Sequence, residues 1–280
     1  MPSSMSIEVI IPLCRTAILE PLLASFAWDP PDVITLVTNQ PRDILVQKEK
    51  LPFELRALRF KTTAYAQGKY DVALRRNVGA HATDTKTLCY FDDDQIASIG
   101  MISAGKRLLA MGDSAVWGNY RFIRFEGTDL RELPLLEAHH GRSRERCGQL
   151  CLWKSAFGGL LFIERETLLD ERGFDMLFTR GSGEDQNLAL RLGQTWIAMH
   201  EPPFAWHPEE KLAVLPEPLS AVCVECQLVD GAVGNVPAKI CRDCPYIERA
   251  DLSTDSMPKT GPVVPFDPGR VTNHYERLSA

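Results

Sequence analysis

Apolar residues come along this chain in two rhythms. Ile7 to Leu13 (IEVIIPL), Val33 to Thr38 (VITLVT) and Thr87 to Phe91 (TLCYF) are short, nearly unbroken apolar runs, the pattern of strands buried on both faces of a parallel sheet. Elsewhere the apolar positions recur three and four residues apart. Ile18, Leu19, Leu22 and Leu23 predict a helix over 16–26; Leu74, Val78 and Ala82 predict another over 70–82, with Arg75 and Arg76 off its apolar stripe. Helical spacing returns from Ile96 to Met111 and stops at Gly112-Asp113. Leu58 to Thr62 reads as a short third strand, and Ala115 to Phe125, with Trp117, Tyr120, Phe122 and Phe125, as an aromatic strand or hairpin. Strand, helix and strand joined by short connections make a right-handed parallel unit, so the first half predicts an α/β fold with a nucleotide-binding half-sheet.

Ligands of such sheets sit beyond the carboxyl ends of the strands. The strand at 87–91 runs straight into Asp92, Asp93 and Asp94. In extended chain Asp92 and Asp94 project to one side. Carboxylates that close repel unless a cation lies between them or one is protonated, and hard oxygen ligands suit magnesium or manganese. A solvated acidic turn is the competing reading of the same three residues.

Arg76, Asn77 and Gly79, then a strand, then Asp-x-Asp, resemble in that order the donor-binding segment of GT-A glycosyltransferases, particularly the family 2 group with its many bacterial sugar transferases. The first strand closing on Pro12 is similar to theirs as well. So are Gly158-Gly159 entering a strand at Leu160 to Ile163, the Gly173-Phe174-Asp175 turn, and Gly181-Ser182-Gly183-Glu184-Asp185 opening a helix. The resemblance implies a Rossmann-like mixed sheet flanked by helices over residues 5–215. It implies a hexosyltransferase-like enzyme that moves sugar from a nucleoside diphosphate sugar, a uridine diphosphate sugar being one candidate, to an acceptor hydroxyl. By motif, Asp92 falls on the nucleoside contact and Asp94 on the residue that holds Mn2+ or Mg2+ against the diphosphate. Asp185 falls on the catalytic base, and Pro12, Arg76, Asn77, Asp93, Gly159 and Glu184 complete the implied binding set; Asn39 joins it only through its own chemistry, as an amide able to hydrogen-bond a base edge. A histidine past the Glu-Asp pair returns to the metal in many relatives, and His207 matches that place better than His200. The resemblance departs at the end of the second strand, where relatives usually carry an aspartate; here Thr38, Asn39 and Gln40 follow one another with no acid before Asp43.

Several of these residues have plainer readings. Asn39 suits a turn after a strand, and arginines off a helix's apolar stripe are commonly solvated. Acids at 184 and 185 complement the dipole of a helix that starts near Ser182, and His207 sits in the Pro-rich stretch MHEPPFAWHP. On the catalytic reading, a carboxylate at 185 takes the proton of an acceptor hydroxyl as it attacks the anomeric carbon, while a divalent ion on Asp94 steadies the departing nucleoside diphosphate. Attack and departure on opposite faces invert the anomeric centre.

Beyond Pro216 the resemblance ends and a different signal begins. Cys223-x2-Cys226, fourteen residues, then Cys241-x2-Cys244 is the spacing by which two knuckles bring four thiolates round one tetrahedral Zn2+. Residues 216–250 therefore read as a zinc ribbon whose metal supplies much of its folding free energy, with iron at the same cysteines or a redox pair as the competing readings. The segment 217–249 holds three basic residues against five acids, which disfavours a phosphate-binding face and leaves structural support or a protein or peptide contact. Residues 251–280 are polar and Pro-rich, the composition of a disordered or wrapping tail. His139, His140, Cys147 and Cys151 match no common zinc spacing, and residues 126–154 read as an acceptor-side loop.

Composition adds limits. At 280 residues, 45% hydrophobic and 24% charged, the chain suits one large globular domain with an appendage. A formal net charge of −6 gives no overall attraction to nucleic acid or to an anionic membrane. No segment offers the roughly 18 apolar residues of a membrane-spanning helix, and MPSSMS lacks the basic and apolar regions of a signal peptide. The expectation is a cytoplasmic protein whose 8 cysteines are thiols or metal ligands. Two other functions compete: a nucleotidyltransferase, which would release pyrophosphate, and a non-catalytic scaffold that binds partners through the ribbon.

Overall fold

The computed structural model describes residues 5–38, 51–59, 72–143, 159–174, 184–192, 200–212 and 276–277. Its centre is a mixed sheet. Strands β1 (Ile7–Pro12), β2 (Val33–Thr38) and β3 (Glu54–Arg59) run parallel, and β4 (Thr87–Phe91) adds to the other edge of β1, also parallel. The sheet continues through β8 (Leu160–Glu164), β6 (Ala115–Ile123), β9 (His200–Pro208) and β5 (Ile96–Ala97), giving, from β3, the order β3-β2-β1-β4-β8-β6-β9-β5. The two-residue strands β7 (Arg142–Ser143) and β10 (Glu276–Arg277) pair with β6 and β3. Direction reverses at β8, which is antiparallel to both β4 and β6.

Alternation along the strands sorts the core onto two faces. Val9 and Ile11 of β1 and Cys89 and Phe91 of β4 join Leu19, Leu22 and Leu23 of α1 (Leu19–Ser25) and Met101, Ile102 and Leu109 of α3 (Met101–Ala110). Ile10, Leu88 and Tyr90 point the other way, to Val78 of α2 (Val72–His81), Leu168 of α4 (Arg165–Asp170) and Leu188 of α5 (Glu184–Arg191). Each such fully buried aliphatic or aromatic side chain contributes about 1.5–3 kcal/mol. The predicted strands at 7–13, 33–38 and 87–91 are all present.

Boundaries moved where local chemistry intervened. The first helix starts at Leu19 rather than Thr16, because Pro21 has no amide proton to give and fits only the first turn. The pattern from Ile96 to Met111 is not one helix: Gly100 takes φ +75° and separates β5 from α3. Ser98 Oγ donates to the Phe204 carbonyl at 2.5 Å and ties that break to β9. The third strand lies at 54–59, upstream of the predicted 58–62. Arg75 and Arg76, off the apolar stripe of α2, are buried and not solvated. Glu8, inside the apolar first strand, is also buried and accepts hydrogen bonds from Thr35 Oγ1 at 2.5 Å, Thr85 Oγ1 at 2.9 Å and Thr83 Oγ1. Among the described residues no helix is long and apolar enough to cross a membrane.

Candidate active site

Parallel pairing of β1 with β4 brings the loops at their carboxyl ends side by side. Asp93 joins them. Its carboxylate accepts from the Arg15 amide at 2.6 Å and from the Cys14 amide, and Arg15 Nη1 reaches its other oxygen at 2.5 Å. The same Nη1 lies 3.2 Å from Asp94 Oδ2. Arg75 Nη1 closes the loop from behind by donating to the Leu13 carbonyl at 2.8 Å. Burial pulls the Arg15 guanidinium down, but Asp93 and Asp94 outweigh it and hold the group charged. Asp93, 2% exposed, is pushed up to about 6 by burial, with Asp94 adding to the rise and Arg15 opposing it.

That rise carries a pH signature. A carboxyl whose folded value lies above its unfolded value favours the fold when protonated, and the benefit is lost as pH climbs through about 6. Asp93→Asn imitates the protonated form at every pH. Unfolding free energies from urea titrations between pH 4 and 7.5 are therefore expected to fall for the natural protein relative to Asp93→Asn, by up to about 2–3 kcal/mol. Parallel curves would mean that the Arg15 pair fully offsets burial.

On the other side of Asp94 the chain builds a second cluster round Arg76. Arg76 Nη1 sits 2.9 Å from Glu184 Oε1 and Nη2 sits 3.0 Å from Asp92 Oδ1, so one buried guanidinium ties the end of β4 to the start of α5. The Arg76 head group lies 5.1 Å from the Phe174 ring centroid, and Phe174 meets Tyr90 edge-on at 5.0 Å. Desolvation works against the Arg76 charge, but Asp92, Glu184 and Asp185 together prevail. Asn77 clamps the turn that carries Phe174: its Nδ2 donates to the Phe174 carbonyl and its Oδ1 accepts from the Phe174 amide, both at 2.8 Å. Gly173 turns there at φ +73°, and a Cβ on it would strike Asn77 Oδ1. The glycine of the Gly-Phe pair is thus set by close approach as well as by backbone angle.

Between the clusters stand Asp94, His207 and Tyr120. His207 Nε2 lies 3.8 Å from Asp94 Oδ1, and its Nδ1 is 2.8 Å from the Pro208 carbonyl. Donation from Nδ1 to that carbonyl leaves the Nε2 lone pair toward Asp94, the orientation of a metal-ligating imidazole. The ring is held between Tyr120, at 5.4 Å, and Phe122, at 5.0 Å. Two ligands about 2.1 Å from one ion can stand up to about 4.2 Å apart, so a carboxylate and an imidazole in this relation fit a borderline divalent ion such as manganese. They are a pair, and no group of three or more protein ligands occurs among the described residues. Burial raises Asp94, Asp92 adds to the rise, and His207 and Arg15 counter it. Gly159 provides clearance: a Cβ there would overlap Asp92 Oδ2 and the Tyr120 hydroxyl, while its carbonyl accepts from the Asp92 amide at 3.2 Å. Burial, then the charge of Asp92, keeps the Tyr120 phenol protonated.

Asp92, Asp94, Arg76, Glu184, Asp185, Gly159 and His207 thus gather at the carboxyl ends of β1 and β4. Pro12, in register with Val37, lies at the last pair of the β1–β2 ladder. Asn77 and Asp93 spend their hydrogen bonds on neighbouring segments of the protein. Asn39, Gly158, Asp175, residues 181–183 and the four cysteines Cys223, Cys226, Cys241 and Cys244 lie outside the described residues, as do Cys147 and Cys151. His139 and His140 stack on each other, exposed, with ring centroids 4.2 Å apart. Sequence reasoning missed two residues of this corner. Arg15 follows Pro12 by three positions, so the rule that loops beyond strand ends meet ligands already pointed to it. Tyr120 carried no such signal, since an aromatic in a strand reads as core.

No family model and no curated protein sequence matches the chain. Among solved structures, S. aureus TarS residues 1–349 aligns at 14% identity with a TM-score of 0.48, over 73% of this chain and 60% of that one. A longer S. aureus TarS structure aligns at 16% identity and 0.47, over 73% of this chain and 37% of that one. GalNAc-T7 with UDP, GalNAc and Mn2+ aligns at 14% identity and 0.47, over 77% of this chain and 45% of that one. The chain thus spans less than two thirds of the length of each.

Proposed function

We propose that this chain is a GT-A-type glycosyltransferase that moves a sugar, with inversion, from a nucleoside diphosphate sugar to an acceptor hydroxyl. The observation that carries the reading is the gathering of two groups at one strand end. Asp94 and His207 stand 3.8 Å apart, and Arg76, paired with Asp92, also holds Glu184 where Glu184 and Asp185 open α5. A divalent ion held by Asp94 and His207 would supply Lewis-acid charge to the leaving diphosphate. Asp92, its carboxylate fixed by Arg76 at 3.0 Å, stands beside it and orients the donor. Asp185 takes the acceptor proton at its carboxylate as the hydroxyl attacks. Tyr120, held protonated beside Gly159 and Asp92, keeps a neutral hydroxyl at the site. The same reading assigns Cys223, Cys226, Cys241 and Cys244 to one structural Zn2+, on the strength of their spacing.

A panel of nucleoside diphosphate sugars with Mn2+ tests it. One donor is expected to raise the melting temperature and to be hydrolysed slowly to its nucleoside diphosphate. In Asp94→Ala the stabilisation should vanish and turnover should fall by about 10²-fold or more. Release of pyrophosphate from nucleoside triphosphates would instead make the chain a nucleotidyltransferase. No response to any donor, with zinc bound at the cysteines, would favour the scaffold.

A further inference from the structure

The two oxygens of Asp94 face different partners. Oδ1 points to His207 Nε2 at 3.8 Å, and Oδ2 lies 3.2 Å from Arg15 Nη1. That nitrogen also lies 2.5 Å from Asp93 Oδ1, so one guanidinium edge spans both carboxylates. Arg15 is held at the site at both ends: its backbone amide donates to Asp93 at 2.6 Å, which fixes the root of the side chain, and its head group meets the two carboxylates. Any cation that settled between Asp94 and His207 would share a carboxylate with a resident positive charge, in surroundings where Arg15, Asp93 and Asp94 are each at most 16% exposed and like charges repel more strongly than in water.

We propose that Arg15 is the resident counter-ion of the Asp93–Asp94 pair and competes with the divalent cation for Asp94. The inference rests on the glycosyltransferase reading for its metal site and goes beyond it in assigning a charge that works against metal loading. Without a bound cation, Arg15 would neutralise carboxylates that otherwise repel one another. It also limits Asp94 to a single oxygen for the ion. The consequence is a site that takes up a bare cation weakly, because each ion bound must be accommodated beside a guanidinium that cannot titrate away.

Binding of Mn2+ alone, without nucleotide, tests this. Free Mn2+ is followed by electron paramagnetic resonance at pH 7.5 for the full chain and for Arg15→Gln, Arg15→Lys and Asp94→Asn. Arg15→Gln is expected to bind Mn2+ about tenfold more tightly than the natural protein. Arg15→Lys keeps the charge but has a single point-like head in place of the fork, so its affinity should stay within about threefold of the natural protein; Arg15→Met, which also removes the charge, takes the place of Arg15→Gln if that variant fails to fold. Equal or weaker binding in Arg15→Gln, or a gain in Arg15→Lys as large as that in Arg15→Gln, overturns the proposal. If Asp94→Asn weakens binding while Arg15→Gln leaves it unchanged, the competition is refuted and the metal site stands. If Asp94→Asn binds Mn2+ like the natural protein, the metal site itself is refuted and the competition falls with it.

Discussion

Asp185→Asn is expected to lower turnover by about 10²–10⁴-fold while donor affinity and melting temperature barely move. The residue is buried at the start of α5, one position after the glutamate that Arg76 grips, and its charge is felt by both Arg76 and Tyr120. Asparagine keeps the shape and a hydrogen-bonding oxygen but cannot accept a proton at neutral pH. The competing role for an acid at this position is electrostatic complementarity to the helix start, worth about 0.3–1 kcal/mol. The two roles separate cleanly. A general base loses rate with little stability; a helix-dipole residue loses a few tenths to about one kcal/mol with no change in rate. Steady-state kinetics with the donor identified in the panel, beside thermal melts, reads both. A loss of less than about tenfold in turnover would remove Asp185 from the chemistry and move the search to Glu184, whose Oε2 is buried and makes no hydrogen bond among the described residues.

How far the sequence reached depended on whether a residue's neighbours were local. The strands at 7–13, 33–38 and 87–91 were legible because burial on both faces leaves an uninterrupted apolar run. The acids at 92–94 were legible because strand ends are where α/β folds meet ligands. The positions of Arg75 and Arg76 were not. Helical periodicity assigns them to the outer face of α2, and only the long-range arrival of Glu184, Asp92 and the Leu13 carbonyl makes burial affordable there. The burial of Glu8 was not legible for the same reason, since its three threonine partners come from β2 and from the loop before β4. Within the Asp92–Asp94 run, spacing alone could not say that the middle acid turns to the β1 loop while its neighbours face Arg76 and His207. The divergence comes from where the cations stand, and those lie 16 or more residues away in sequence.

Arg76→Met is expected to be the most destabilising single change in this corner, costing about 3–5 kcal/mol. The methionine fills most of the aliphatic path and keeps contact with Phe174, so packing is nearly preserved. What disappears is the only guanidinium that meets both Glu184 and Asp92, at 2.9 and 3.0 Å, among the described residues. Glu184 is 5% exposed, and a buried carboxylate stripped of its partner carries its full desolvation cost. For a domain of this size the melting temperature should drop by roughly 10 °C. Adding Glu184→Gln to Arg76→Met removes the orphaned charge and should restore about 1–2 kcal/mol, a coupling that two independent sites would not show. The alternative is that Arg76 serves the donor and contributes nothing to the fold. In that case Arg76→Met melts with the natural protein and loses only donor-dependent stabilisation, and the double variant gains nothing over the single one. Because the Arg76 bridge joins the end of β4 to the start of α5, the first outcome would also mean that the carboxylates proposed for donor and acceptor are held at their working separation by the same charge that holds the fold.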